Sequence, residues 1–462
     1  MKIHAIILAA GQGTRMKSAL PKVLHPVGGK PMLGHVLDAV REAGIETSQV
    51  VLGHGAAAVR EWLEASGQGK VGTVVQEQQL GTAHAVQQAM PEVPDGALVL
   101  ILYGDVPLVT AETLRQLVAA AKDGMAVLSA VLPDPLGYGR ILRDAPKNGK
   151  PGRITGIVEE KDASAAQRAI TEINTGLIAA QARRLKRWLS KVKNDNAKGE
   201  YYLTDVVELA VKDGVDVQGV TTANPDEAEG INDRVQLART ERRFQWLKAE
   251  RLMRDGLHLA DPARFDLRGS LDFGRDVFVD VGCVFEGIVE LGDGVHVGPY
   301  SMLRNVKLGA GTRVEAHCVL DEAEAGRDCR IGPFARLRPG AQLADQVHIG
   351  NFVEIKKSQL GEGSKANHLS YVGDAMVGAR VNIGAGVITC NYDGVNKHAT
   401  IIGDDAFIGT DSQLVAPVII GRGAYIAAGS TITKDAPEDA LSICRSREQR
   451  SFPNWRKPQK KR

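Results

Sequence analysis

Two groups of residues in this chain have the types and spacing of reactive sites. The first is Leu8-Ala9-Ala10-Gly11-Gln12-Gly13-Thr14-Arg15, followed closely by Pro21-Lys22. Glycines in a turn let backbone N–H groups approach phosphate oxygens, and Arg15 and Lys22 add the positive charge that triphosphate chemistry needs. The spacing is neither that of the dinucleotide-binding fingerprint nor that of a Walker loop. Downstream, Tyr103-Gly104-Asp105 closes an apolar run and puts a carboxylate where it can hold Mg²⁺. Taken alone, Asp105 can equally cap the helix that follows. The second group surrounds His368 and includes Arg338, Lys356, Tyr371, Asn382, Asn391-Tyr392 and Arg445. Histidine titrates near working pH, so it can take the proton that an ammonium must lose when an acyl group is transferred to it. Arg338 and Lys356 can hold a phosphate, and Asn382 and Asn391 can orient hydroxyls or an amine. Cys390 also lies here, but no neighbouring base or cation in the sequence would lower its pKa, and it reads as a bystander thiol.

The elements that must position these groups follow two patterns. In the first half, short apolar runs alternate with amphipathic stretches. Ile3 to Leu8, Gln49 to Leu52, Leu98 to Leu102 and Met125 to Val131 read as buried strands, and Met32 to Ala43 and Ala111 to Ala121 as helices. This βαβα order predicts a Rossmann-like parallel sheet with helices on both faces. Ligands in such sheets sit at the carboxyl ends of strands, which directs attention to the loops after the first and fourth of these strands. A charged stretch from about Pro225 to Arg254 reads as a connecting helix ended by Asp255-Gly256.

Beyond it an aliphatic residue returns every six positions: Val279, Phe285, Leu291, Val297 and Leu303; Ile331, Leu337, Leu343, Ile349 and Ile355; Ile402, Ile408, Leu414, Ile420, Ile426 and Ile432. Period six fits a coil of three short strands per turn, each side sending one apolar residue inward: a parallel β-helix. Glycines after the aliphatic residue, as in Ile402-Gly403 and Ile408-Gly409, suit sharp corners. The register breaks between Thr389 and Thr400, where a protruding loop is expected. Period six by itself carries no chemistry; the polar residues that depart from it do.

The bulk composition sets limits. The 462 residues predict two or three domains. With 57 Lys and Arg against 55 Asp and Glu, the chain as a whole offers no electrostatic case for nucleic acid. Basic residues cluster at Arg456-Lys457-Pro458-Gln459-Lys460-Lys461-Arg462, read as a solvated tail. The five cysteines are scattered and form no CxxC pair, against a disulfide framework or structural zinc. The opening apolar run is too short for a signal core, and no stretch reaches the ~18 apolar residues of a membrane span. A cytoplasmic setting without membrane partner is expected.

The glycine loop with Arg15 and Pro21-Lys22 resembles the signature of sugar-phosphate nucleotidyltransferases. Gln76, Gly81-Thr82, Gly137-Tyr138-Gly139-Arg140, Glu159-Glu160-Lys161-Asp162, Asn174-Thr175-Gly176 and Gly230-Ile231-Asn232 follow in that family's order. With the hexad half included, the chain is similar over nearly its whole length to the bifunctional bacterial N-acetylglucosamine-1-phosphate uridyltransferase / glucosamine-1-phosphate acetyltransferase family. That resemblance implies a nucleotidyltransferase domain over 1–228, a connecting helix over 229–254 and a left-handed hexapeptide β-helix over 255–462. It implies acetyl transfer from acetyl-CoA to glucosamine 1-phosphate, then uridylyl transfer from UTP to N-acetylglucosamine 1-phosphate, feeding peptidoglycan and lipopolysaccharide precursors. Leu8, Ala9, Ala10, Gly11, Gln76, Gly81 and Thr82 would contact the uridine side, with Tyr103 and Gly104 beside them. Arg15 and Lys22 would face the phosphates, Gly139, Glu159 and Asn174 the sugar, and Asp105 and Asn232 would bind Mg²⁺. In the second half His368 would be the general base, with Arg338, Lys356, Tyr371 and Asn382 on glucosamine 1-phosphate. The Ala385 N–H would stabilise the oxyanion. Asn391, Tyr392, Thr410, Ala428 and Arg445 would lie along acetyl-CoA, Thr410 standing where relatives often have serine. A homotrimer with shared acetyl sites is also implied. Two other readings remain open at this point: a monofunctional nucleotidyltransferase whose β-helix regulates or oligomerises, and a sugar-nucleotide-sensing module.

Overall fold

The computed structural model describes residues 2–68, 71–122, 124–146 and 151–445, with Ser451 and Pro453. The basic tail at 456–462 lies outside these residues. Two compact units are present, Met1–Phe244 and Gln245–Arg462.

The first unit is built on a sheet of nine strands among the described residues. They are β1 (Ile3–Ala9), β2 (Thr47–Leu52), β3 (Gly72–Val75), β4 (Leu98–Tyr103), β5 (Met125–Val131), β6 (Arg140–Arg143), β7 (Ile154–Val158), β8 (Glu172–Gln181) and β9 (Val217–Thr221). The main order is β9-β5-β8-β4-β1-β2-β3, with β6 joined to β8 and β7. Six of these main strands are parallel, but β8 runs antiparallel to both β4 and β5, and β6 and β7 form an antiparallel pair. The four strands read from the sequence, β1, β2, β4 and β5, are mutually parallel as expected, and β6, β7 and β8 make the whole sheet mixed. The apolar runs of β1 and β4 are buried on both faces, as interior strands covered by helices must be. Ile6, Val99 and Ile101 belong to one core, and Ala5, Ile7, Leu98, Leu100 and Leu102 to the other. Helices α1 (Met32–Glu42), α2 (Ala56–Ala65), α3 (Thr82–Ala89), α4 (Ala111–Ala120), α5 (Ala182–Leu189) and α6 (Asp205–Lys212) cover them. The Thr110 hydroxyl caps α4 by accepting from the N–H of Thr113 at 3.3 Å.

The helix expected from Pro225 starts later. Pro225–Ala228 is a 3₁₀ turn capped by the Asn224 side chain, and α7 spans Arg234–Arg254. Proline at the turn's first position fixes φ without needing an N–H partner, and the intervening Glu229–Asp233 segment is free to enter the site described below. The first part of α7 belongs to the first unit, where Leu237 and Phe244 pack with Val27, Met32 and Ile231.

The second unit is the β-helix. Val279, Val297, Val314, Ile331 and Ile349 stack in parallel register in successive coils, and every residue of the three hexad runs is buried. Phe285 fills its aliphatic slot by an edge-on contact with Phe265, ring centres 5.3 Å apart. One expectation needs correction. Gly403 and Gly409 are not the left-handed corners. They are needed because coils approach closely: a Cβ there would lie 2.6 Å from the Arg422 nitrogen and 2.5 Å from that of Ala428. The left-handed φ values fall two residues later, on Asp405 and Asp411, residues that tolerate that region better than most. Between Cys390 and Thr400 the chain leaves the coil as a loop, with Val395 exposed at its tip. Asp393 organises it, accepting from the N–H groups of Val395 and Asn396 (2.8 and 2.6 Å) and pairing with His398. No helix among the described residues is long and apolar enough to cross a membrane.

Candidate active sites

In the first unit two adjoining clefts, each of about 290 Å³, open at the carboxyl ends of the central strands. The first is floored by Leu8, Ala9, Ala10 and Gly11 at the end of β1, and closed by Gln76, Gly81 and Thr82. The second is lined by Gly139, Glu159, Asn174 and Asn232, and both share Thr82, Tyr103 and Asp105. The loops that matter include those after β1, β3, β4 and β5; the sequence reading pointed to those after β1 and β5 and missed the other two. A Cβ at Gly11 would meet nothing within 4 Å, so the turn leaves open space for a ligand. Gly81, at φ 119°, sits where a Cβ would lie 2.5 Å from the Tyr201 carbonyl, and only glycine fits. Gln76 is buried, its amide fixed on the Gly81 carbonyl (3.1 Å) and His84 (3.0 Å).

Lys22 joins the two clefts. Its ammonium pairs with the Asp105 carboxylate and donates to the Asn232 Oδ1 at 3.3 Å. Asn232 is held in turn: its N–H donates to Gln236 at 2.7 Å and its amide to the Gly230 carbonyl at 3.1 Å. The Asp105 carbonyl accepts from Ile231 at 3.0 Å. Two hard oxygen donors thus converge on one cation, a set that suits Mg²⁺, which takes one or two protein oxygens and completes its shell with water and phosphate. Burial pushes the Tyr103 phenol up, reinforced by Glu159 and Asp105, so it stays protonated and can donate. Burial also raises the Glu159 carboxyl, while the Thr204 hydroxyl, 3.1 Å away, opposes the shift. Asn174 is buried and its N–H donates to the Gly139 carbonyl at 2.8 Å.

Of the predicted residues of this unit, two line neither cleft: Arg15 is exposed on a 3₁₀ turn, and Gly104 faces Val23, Leu33 and Ala9. The sequence reading also missed Tyr202 and Thr204. The Tyr202 phenol lines the second cleft, is buried, and has no partner for its hydroxyl among the described residues. A Tyr-Tyr-Leu-Thr stretch before a helix gave no spacing signal that could have found it.

In the second unit the predicted residues form two groups along one side of the coil. His368 is exposed, and its Nδ1 lies 2.8 Å from the Asn351 side-chain oxygen. With that oxygen as acceptor, the contact selects the tautomer protonated on Nδ1 and would leave Nε2 as the free nitrogen. Asn351, His368, Ala385 and Thr410 occupy the same corner position in successive coils, each offering its carbonyl to the next coil's corner N–H. Arg445 reaches this column through the Ala428 carbonyl at 2.8 Å. The other group is a charged network. Arg338 pairs with Glu354 at 2.8 Å, and Lys356 approaches Asp374 at 3.9 Å. Asn391 donates to Asp374 and contacts the Tyr371 hydroxyl at 3.4 Å. Tyr371 lies over Gly373, where a Cβ would be 2.3 Å from its hydroxyl, so the ring points away from the His368 corner. Asn382 sits on the adjoining sheet between Lys365 and Phe407, and Tyr392 is exposed in the loop. Asn351, Glu354 and Asp374 were not legible in advance; each is a single polar residue without a motif. Burial alone raises the Cys390 thiol, in keeping with a bystander.

A mixed α/β sheet with a glycine-lined cleft, followed in the same chain by a β-helix with a corner histidine, defines a nucleotidyltransferase fused to a hexapeptide-repeat acyltransferase. Residues 5–148 match the MobA-like NTP transferase domain model, and residues 399–434 the bacterial transferase hexapeptide (six repeats) model. The chain is 59% identical to the bifunctional protein GlmU of Alkalilimnicola ehrlichii, over 99% of this chain and 96% of the relative. It is 55% identical to that of Cupriavidus pinatubonensis over 99% of both chains, and 53% to that of Nitrosospira multiformis over 100% and 98%. The chain belongs to the bifunctional GlmU family. It is an enzyme with two activities, uridylyl transfer and acetyl transfer, and not a nucleotidyltransferase carrying a merely regulatory β-helix.

Proposed function

We propose that the second unit acetylates glucosamine 1-phosphate from acetyl-CoA, and that the first unit couples N-acetylglucosamine 1-phosphate to UTP. The observation that carries the reading is Lys22 held between Asp105 and Asn232 where two adjoining clefts meet. Leu8 to Gly11, Gln76, Gly81 and Thr82 take the uridine. Gly139, Glu159 and Asn174 take the sugar, with Tyr202 added to them. The sugar-phosphate oxygen attacks the α-phosphorus, a new P–O bond forms, and the bond to the bridging oxygen breaks with departure of pyrophosphate. Lys22 orients and neutralises phosphate oxygens, and positioning does most of the work. Asp105 and Asn232 would hold Mg²⁺, which supplies further charge neutralisation at the phosphates. Arg15 acts only if its exposed turn folds over the bound triphosphate.

In the second site the His368 Nε2 takes the proton from the attacking amine. The C–N bond forms, the C–S bond of the thioester breaks, and the CoA thiol leaves protonated. Asn351 fixes the ring, and the Ala385 N–H faces the oxyanion. Arg338, Lys356, Tyr371 and Asn382 hold the sugar phosphate, while Asn391, Tyr392, Thr410, Ala428 and Arg445 follow acetyl-CoA. Because Tyr371 and the cations turn away from the base within one chain, we assign completion of the site to neighbouring copies in a homotrimer. An exposed aromatic ladder supports this: Tyr300, His317, Phe334 and Phe352 stack with ring centres 5.3, 4.9 and 5.3 Å apart, all at positive φ, and Leu369 continues the corner beside His368. Such a ridge is costly in water and in backbone strain, and burial against another copy offsets both. The setting proposed is cytoplasmic, supplying peptidoglycan and lipopolysaccharide precursors.

Incubating the protein with glucosamine 1-phosphate, acetyl-CoA, UTP and Mg²⁺ tests the reading. UDP-N-acetylglucosamine, pyrophosphate and free CoA thiol are expected. Product only from pre-acetylated sugar phosphate would overturn the second assignment.

A further inference from the structure

The Arg140 side chain is among the largest fully buried in the first unit, 1% exposed, although it carries a charge. Its guanidinium donates to the Tyr138 carbonyl, reaches the Arg168 carbonyl at 3.3 Å and lies 2.7 Å from the Glu160 carboxylate. Its Nε has no acceptor among the described residues. Two of these contacts lie in or beside the wall of the second cleft, which Tyr138 itself lines, and the Arg168 carbonyl anchors the guanidinium from outside it. Tyr138 precedes Gly139, Glu160 follows Glu159, and Arg140 itself pairs across β6 and β8 with Ile173, which precedes Asn174. One planar group therefore ties together the three segments that carry Gly139, Glu159 and Asn174.

We propose that the Arg140–Glu160 pair is a positioning device for that wall and sets affinity for the sugar phosphate without affecting the nucleotide cleft. The inference rests on the reading of the second cleft as the sugar site. Energetics favour position over stability as its role. A buried ion pair gains little over apolar residues of equal volume, and less when one donor is left unpaired. An apolar pair, however, has no direction, whereas the guanidinium donates to the Tyr138 and Arg168 carbonyls and holds the Glu160 carboxylate beside them by charge. Arg168 adds a second cation, 3.7 Å from the same carboxylate, and its Nε donates to the Glu160 carbonyl at 3.3 Å. Glu160 is thus gripped on both sides, and Glu159 is carried with it.

The test is the double variant Arg140→Met, Glu160→Leu in the full chain, with Arg140→Lys beside it. We expect the double variant to melt near the parent temperature. Its KM for N-acetylglucosamine 1-phosphate should rise about tenfold or more, since small misplacements of a binding wall are costly. KM for UTP and the acetyl-transfer rate should stay within about twofold. Arg140→Lys keeps the charge but loses the fork, and should raise the sugar KM by a smaller factor. A folded double variant with unchanged sugar KM, or with an equal rise in KM for UTP, overturns the proposal. If the double variant does not fold, an unchanged sugar KM in Arg140→Lys does so. Asn174→Ala separates this from the underlying reading: if it leaves the sugar KM unaltered, the cleft assignment itself fails. If it raises KM while the pair variants do not, only the positioning role fails.

Discussion

Asp105→Asn isolates charge from shape. The carbonyl of residue 105 still accepts from Ile231, and the amide fills the same volume, so the β4 loop should persist. What disappears is the partner of Lys22, in a site where the two side chains are only 14% and 16% exposed. In gross Coulomb terms such a pair is worth roughly 4 kcal/mol at an effective dielectric near 20. Desolvation offsets most of that, leaving a net stability change of about 1 kcal/mol. Catalysis should suffer more. The carboxylate both orients the Lys22 ammonium toward Asn232 and offers the negative oxygen of the proposed metal pair. Loss of one such preorganised charge typically costs ~3–4 kcal/mol of barrier, or about 10²–10³ in kcat. Pyrophosphate release from UTP and N-acetylglucosamine 1-phosphate reads the first activity. CoA thiol release in the same sample reads the second, which should be unchanged. Titration with Mg²⁺ should show half-saturation displaced upward by at least about tenfold. A uridylyl rate within about threefold of the parent, with unchanged Mg²⁺ dependence, would refute the reasoning.

Other variants probe separate claims. His368→Ala should abolish acetyl transfer, by about 10²–10⁴ if the ring is the base, and leave uridylyl transfer intact; full retention in the thiol assay removes the assignment. Asn351→Ala, which frees the ring, should give a smaller loss in the same thiol assay. Burial, with Glu208, Glu159 and Asp162 nearby, raises the Asp205 carboxyl from 3.8 to about 6. A raised folded-state pKa gives stability that is fully present below about 4 and lost as pH rises through about 6. Full conversion would give about 3 kcal/mol; for this half-buried group roughly 1–2 kcal/mol is expected. Asp205→Asn should therefore melt higher than the parent at pH 8 and no higher at pH 4, as followed by thermal denaturation. Phe334→Ser with Phe352→Ser should shift the proposed homotrimer toward single chains in sedimentation and depress acetyl transfer more than uridylyl transfer.

Much of the architecture was legible because periodicity is redundant. Sixteen aliphatic and aromatic positions at spacing six overdetermine the β-helix, and no single substitution hides it. Strand direction is not redundant in that way. Glu172–Gln181 mixes polar with apolar residues, and nothing in it announces that it enters the sheet reversed. The corner glycines misled for a related reason. Glycine signals either a left-handed turn or a close approach, and sequence does not separate the two. The first site was visible through a motif, whereas Asn351, Glu354 and Asp374 act by stacking on residues 16 to 18 positions away. Only the pitch of the coil brings them there. Arg15 shows the converse: a motif names a residue before the fold has brought it to the ligand.

The charged side chains of both sites share one arrangement. Lys22 rests on Asp105, Arg338 on Glu354, and Lys356 faces Asp374. Each is a cation that the proposed reactions need for a phosphate, and each is already oriented by a carboxylate before any ligand arrives. A preoriented charge needs little rearrangement when the phosphate enters, which is where electrostatic catalysis gains most. The arrangement has a cost, because an incoming phosphate competes with a carboxylate for the same cation. It has a matching benefit for specificity: a neutral sugar cannot compete, and the cations stay with their carboxylates. In the first site the proposed exchange would also free Asp105 as Lys22 turned to phosphate, and a divalent cation would be the natural replacement partner. Uridylyl transfer should then show ordered dependence, with Mg²⁺ and UTP each tightening the other, as reciprocal linkage requires. Independent half-saturation by Mg²⁺ and UTP would contradict this exchange, even if both residues proved essential.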